Sequence, residues 1–77
     1  NPFNEMARVT LDLSSSTRMN IQVFDLLGRS VLRLYNGEMI AGRHDLQIDA
    51  SSLPSGVYFL HVNTDSVQLT RKFAVVK

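Results

Sequence analysis

The sequence predicts an all-β fold, a small antiparallel β-sandwich, on three observations. Apolar residues alternate with polar ones over runs of about six to nine residues, the period of half-buried strands. No stretch repeats its apolar residues at the three- and four-residue spacing of an amphipathic helix. Clusters of Gly, Asn, Ser or Pro separate the runs at short intervals, as they do where strands turn back on one another.

The first run, Arg8-Val9-Thr10-Leu11-Asp12-Leu13, puts Val9, Leu11 and Leu13 on one face and Arg8, Thr10 and Asp12 on the other, because successive strand side chains point to opposite sides. Ser14-Ser15-Ser16-Thr17 follows as a polar turn. Met19, Ile21 and Val23 then alternate with Asn20, Gln22 and Phe24, and these two runs are expected to pair as a hairpin. Asp25-Leu26-Leu27-Gly28-Arg29 reverses the chain, with Gly28 suited to a positive φ that a Cβ would resist. Residues 30–35 return as a third strand. Asn36-Gly37 is the strongest short turn signal, since both residues tolerate the left-handed backbone of tight hairpin turns. Ala41-Gly42 marks a second break, which leaves Glu38-Met39-Ile40 as a short edge strand. Residues 43–49 alternate again, with Leu46 and Ile48 facing in.

Ala50-Ser51-Ser52-Leu53-Pro54-Ser55-Gly56 forms a loop before the two most apolar runs, 57–63 and 67–76. These meet at Thr64-Asp65-Ser66 and are expected to form a central hairpin. Leu53-Pro54-Ser55-Gly56-Val57-Tyr58 places an apolar plug, a rigid turn and a tyrosine at the entrance to a strand, the arrangement of a tyrosine corner. In that device the ring packs on the core and the hydroxyl bonds to backbone a few residues upstream. Tyr58, Leu60 and Val62 then face the core. Arg71 shares the parity of Val67, Leu69, Phe73 and Val75, which requires either a bulge in the last strand or a place for Arg71 at the rim of the core; a bulge is expected. About six or seven short strands, so regularly punctuated, make the sandwich immunoglobulin-like, with a barrel as the alternative closure.

A chain of 77 residues makes one small domain, and without cysteine its core has no disulfide or thiolate metal site to supplement packing. Eight Lys and Arg against seven Asp and Glu give a formal charge of +1 with no dense basic cluster, so nucleic acid is not an expected partner. The longest apolar runs, Val57-Tyr58-Phe59-Leu60 and Phe73-Ala74-Val75-Val76, fall far short of the ~20 residues of a membrane-spanning helix, and no membrane insertion is expected. Asn1-Pro2-Phe3-Asn4-Glu5 has neither the basic start nor the apolar middle of a signal peptide. Asn-Pro reads instead as the end of an inter-domain linker over residues 1–5, with the domain proper at 6–77 and a parent protein ahead of it.

No catalytic residue, cofactor site or metal site is expected. The serines crowd turns, where local hydrogen bonding favours them, and none is matched to a histidine and a third orienting group. His44 and His61, with Asp45 and Asp49 near the first, do not make the four convergent ligands of a structural zinc site. Phe24 and Phe59 point away from the core side of their strands, with Val57 and His61 on the same outer face as Phe59. Either they form a docking patch, or they pair across strands or cover a face buried on both sides.

Asn1-Pro2-Phe3-Asn4, Val23-Phe24-Asp25-Leu26-Leu27-Gly28-Arg29, Leu53-Pro54-Ser55-Gly56-Val57-Tyr58 and the closing Thr70-Arg71-Lys72-Phe73-Ala74-Val75-Val76-Lys77, in this order and spacing, resemble the C-terminal sorting domains of the type IX secretion system over essentially the whole chain. Gly28, Arg29, Leu53, Pro54, Gly56 and Tyr58 carry the structural part of the likeness. The resemblance implies an address domain: a larger parent crosses the inner membrane by its own signal, an outer-membrane translocon recognises this domain, and a sortase-like peptidase removes it near or before Asn1. The parent then stays on the cell surface or enters the medium. The terminal strand is the expected recognition element, through Lys72, Phe73, Val75, Val76 and Lys77, because an edge strand offers backbone groups that a partner extends. The competing readings are an accessory carbohydrate-binding or adhesive module and a structural spacer of a secreted hydrolase. Against the first, the chain lacks Trp and only Tyr35 sits near a loop with an open outlook. A monomer is expected.

Overall fold

The computed structural model describes residues 2–3 and 6–77, and every regular element among them is a strand. In chain order these are β1 (Pro2–Phe3), β2 (Met6–Leu13), β3 (Thr17–Phe24), β4 (Ser30–Met39), β5 (Gly42–Asp49), β6 (Gly56–Thr64) and β7 (Gln68–Val75). One sheet has the order β1-β7-β6-β3-β4 and the other pairs β2 with β5. All pairings are antiparallel except β1 with β7, which is parallel. The expected all-β sandwich is therefore present.

Alternation places the core. Met19, Ile21 and Val23 of β3 and Tyr58, Leu60 and Val62 of β6 are buried, as the period of two requires, and Ile48 of β5 closes on them from the opposite sheet. Ala7, Val9, Leu11 and Leu13 of β2 pack against this cluster with Leu46. The outward residues of β2, from Met6 to Asp12, are exposed. The two sheets thus share one apolar layer between them.

Four expectations are corrected. The first two long strands do not form a hairpin: β2 pairs with β5 from Met6–Asp49 to Leu13–Gly42, and β3 pairs with β4 and β6. Residues 14–16 carry the chain from one sheet to the other. Alternation shows which face of each strand is apolar but not whether two such faces lie side by side or opposite each other, and here they are opposite. Asn36-Gly37 is not a turn but part of β4, with Asn36 beside Asn20 and Gly37 beside Met19. The separate short strand at 38–40 merges into that same strand, and the reversal falls at Ile40-Ala41. β4 admits this by irregularity: its register against β3 shifts between Ile21 and Gln22 and again between Val23 and Phe24. Each shift adds a residue to β4, Leu34 at the first and Val31 at the second, and so bends the strand.

The bulge expected near Arg71 is likewise absent, since the β6–β7 ladder runs regularly from Gly56–Val75 to Asn63–Gln68. Arg71 takes the rim position instead, opposite Leu60 and exposed. Along the inward row of β7, burial fades from Val75 through Phe73 to Arg71 and Leu69. The linker expected over residues 1–5 falls partly on Asn1, Asn4 and Glu5, outside the described residues. The backbone of Pro2 and Phe3 runs beside Ala74 and Val75.

Ile21 is fully buried. Ile21→Ala is expected to cost about 3 kcal/mol in urea unfolding, within the range for truncating a buried aliphatic side chain. Leu27→Ala, at a position 77% exposed, is expected to change stability by less than about 0.5 kcal/mol.

Candidate recognition site

The β3–β4 loop is a capped tight turn. The Gly28 amide donates to the Asp25 carbonyl (3.1 Å) and the Asp25 amide to the Arg29 carbonyl (3.0 Å), while Gly28 takes φ +81°. That is the left-handed region, which glycine enters without strain. The Asp25 carboxylate accepts from the amides of Leu27 (2.9 Å) and Arg29 (3.0 Å) and from Arg29 Nε (2.8 Å). Hydrogen bonding from the Arg29 amide is the main cause that holds this carboxyl below its ordinary value, with smaller contributions from the Arg29 side chain and the Leu27 amide and partial opposition from desolvation.

The corner before β6 is built as expected. Tyr58 Oη donates to the Pro54 carbonyl at 2.6 Å, the Leu53 amide donates to Ala50 (3.0 Å), and Leu53 is buried. Gly56 opens β6 opposite Val75; a Cβ there would meet the Tyr58 ring at 3.8 Å, an ordinary contact. The Phe73 ring stacks on Tyr58 with centroids 5.9 Å apart.

The chain terminus is tied to this same corner, a feature the sequence reading missed. The Lys77 amide donates to Ser55 Oγ (3.1 Å) and its ammonium to the Ser51 carbonyl (2.7 Å). Asp49 accepts from the Ser51 amide at 3.0 Å. Bonds from the Ser51 side chain and amide are the leading causes that lower the Asp49 carboxyl, with the Lys77 charge contributing. The five expected recognition residues are therefore unequally presented. Lys72, Val76 and Lys77 are exposed, Phe73 is half-buried, and Val75 at 1% exposure belongs to the core. The outer edge of β7 beside Ala74 and Val75 is taken by β1.

One end of the sandwich thus gathers the Asp25–Arg29 turn, the Leu53–Tyr58 corner and the terminus. Turn and corner line a shared groove of about 320 Å3, with Leu26, Leu27 and Val31 on one side and Pro54 and Val57 on the other. A family model for the secretion system C-terminal sorting domain matches residues 1–76. The chain belongs to this family. No curated protein matches it. A sorting domain is a signal domain, and this one directs export by the type IX system, via the periplasm, to the cell surface or the medium.

Elsewhere the sorting domain carries little convergent chemistry. His44 Nε2 lies 2.7 Å from the Ile40 carbonyl, and His61 packs edge-on to Phe24 with centroids 5.9 Å apart. Among the described residues no three His, Asp or Glu side chains converge. Phe24 lies beside Phe59 across β3 and β6, and both are half-buried, so of the two readings of this outer face the geometry matches cross-strand pairing. Tyr35, the ring with an expected open outlook, spends its hydroxyl on the Glu38 carbonyl of its own strand.

Tyr58→Phe is expected to lower stability by about 1 kcal/mol, read as a reduced urea midpoint, with little change in circular dichroism. Because folding depresses the Asp25 pKa, its contribution is fully present above the ordinary value of 3.8 and is lost as the pH falls through the lower folded value. Asp25→Asn is expected to flatten the fall of the unfolding midpoint below that value without abolishing it, since Asp49 contributes in the same direction.

Proposed function

We propose that the sorting domain is read at the outer-membrane translocon of the type IX system through its C-terminal end, residues Lys72, Phe73, Val75, Val76 and Lys77, and that a sortase-like peptidase then separates it from the parent protein that precedes residues 1–5. The observation that carries this reading is the family match over residues 1–76. The domain at 6–77 acts as a monomeric address and performs no chemistry of its own. The geometry supports a division of labour among the five residues. Val75, with Phe73 packed on Tyr58, fixes the strand, and Lys72, Val76 and Lys77 present charge and apolar surface outward. Among the described residues, β1 lies beside only Ala74 and Val75 of the outer β7 edge, which leaves residues 68–72 for strand addition. The carbohydrate-binding and spacer readings are not favoured.

The test is a periplasm-targeted reporter fused to residues 1–77, expressed in hosts with and without a type IX translocon. Surface or medium delivery is expected only in the competent host, and equal delivery in both would overturn the reading. Removing residues 76–77 alone, beyond the last strand, is expected to reduce delivery at least about tenfold while the domain stays folded; unchanged delivery would release the terminus from the recognition role.

A further inference from the structure

The β6–β7 ladder closes at Gly56–Val75, so Val76 and Lys77 lie beyond the last strand. Residues in such a place fray unless something ties them down. Here the tie comes from a loop 22 to 26 positions away: the Lys77 amide donates to Ser55 Oγ at 3.1 Å and its ammonium to the Ser51 carbonyl at 2.7 Å. Both acceptors stand on a fixed frame. The Leu53 amide bonds to the Ala50 carbonyl, Tyr58 Oη bonds to the Pro54 carbonyl, and Ala50 and Leu53 are buried. Ser51 and Ser55 flank this pinned segment and are themselves exposed, so the fold does not need the Ser55 hydroxyl for packing.

The ammonium end of the tie is favoured by charge as well. Asp49, the last residue of β5, accepts from the Ser51 amide at 3.0 Å; bonds from Ser51 lead the causes that lower its carboxyl, and the Lys77 charge adds to them. Val76 therefore sits between two held residues, Val75 in the core at 1% exposure and Lys77 bonded through both its amide and its side chain. Its own side chain is 52% exposed, so the tie fixes where an open apolar group stands. Ordering two exposed residues costs conformational entropy of the same order as two solvent-exposed hydrogen bonds supply. Held and free tails are thus close in free energy, and either bond alone tips the balance.

We infer that Ser55 is a positioning residue for export: its hydroxyl, with the Ser51 carbonyl, holds Lys77 so that Val76 is presented in the one arrangement that is read. This rests on the proposal that recognition falls on the terminus, and it adds residues of the 50–56 loop that need not touch the translocon. A recognition element bound only in one conformation loses apparent affinity in proportion to the time it spends elsewhere. The tie removes part of that loss before the encounter, as preorganisation does in any binding segment. It also gives the Pro54 corner a second role: the bond from Tyr58 that steadies the corner steadies the acceptors for Lys77 too.

The test compares the reporter carrying residues 1–77 with its Ser55→Ala, Ser55→Thr and Ser52→Ala variants in the translocon-competent host. Circular dichroism and urea midpoints of the 77-residue chains are expected to match, since both serines are exposed. Amide order parameters of Val76 and Lys77 are expected to fall in Ser55→Ala alone. Losing one exposed hydrogen bond from a tail near even balance leaves it held about threefold less often, so export of Ser55→Ala is expected to fall about threefold. Ser55→Thr keeps the hydroxyl and is expected to restore both tail order and export, and Ser52→Ala is expected to leave both unchanged. Wild-type export of Ser55→Ala with a freed tail would overturn the inference and leave recognition at the terminus standing. An unchanged tail in Ser55→Ala, or an equal loss of export in Ser52→Ala, would overturn it as well. Failure of the unaltered reporter to be exported would overturn the sorting reading and this inference with it.

Discussion

The pairing of β3 with β6 organises the molecule. Met19 to Phe24 lie against Thr64 to Phe59, and this ladder joins two hairpins that would otherwise be separate, β3–β4 on one side and β6–β7 on the other. An isolated two-stranded hairpin is marginal in water, whereas four strands with one apolar face can hold a core. The inward residues of the two strands, Met19, Ile21, Val23, Tyr58, Leu60 and Val62, make up most of the buried apolar side chains described. β2 and β5 then cover that face. A domain of 77 residues without cysteine has little else to draw on, so the fit of this layer governs whether the remaining features exist at all.

What the layer positions is one end of the sandwich. β3 leaves it at Phe24 and enters the Asp25 turn; β6 begins there at Gly56, just after the Pro54 corner; β7 finishes there at Val75. Three chain segments far apart in sequence meet because antiparallel ladders bring their ends together. The Tyr58 hydroxyl locks the corner from within and Lys77 locks it from the terminus. In the function proposed above, this end is the surface a translocon reads, and residues 72–77 are one part of it.

The sequence was most legible where physics leaves one answer. Alternation located the inward faces of β3 and β6, and Gly28 was identified by a turn that needs positive φ. The spacing of Pro54 and Tyr58 announced a bond that the structure contains. Failures came where a local pattern has two tertiary solutions. Val9, Leu11 and Leu13 are equally satisfied beside β3 or across from it, and the interior chose the latter. Asn36-Gly37 favours a turn locally, but pairing with Asn20 and Met19 holds the pair in β4. Arg71 stays on the inward row at an exposed position, so no bulge is needed. At the candidate site the turn and corner were legible, whereas the Lys77 tether was not: its partners, Ser51 and Ser55, are more than twenty positions away and are ordinary loop residues.

The central claim is that the folded end of the sandwich is the signal, so disrupting the core should silence an intact terminus. The measurement is the destination of a reporter fused to residues 1–77 with Val23→Asp, which puts a carboxylate at a fully buried site and leaves every exposed residue, including those after Gln68, unchanged. The account predicts that the intact reporter accumulates in the periplasm of the translocon-competent host. Delivery to the surface or medium at the level of the unaltered fusion, by a domain shown by circular dichroism to be unfolded, would contradict it.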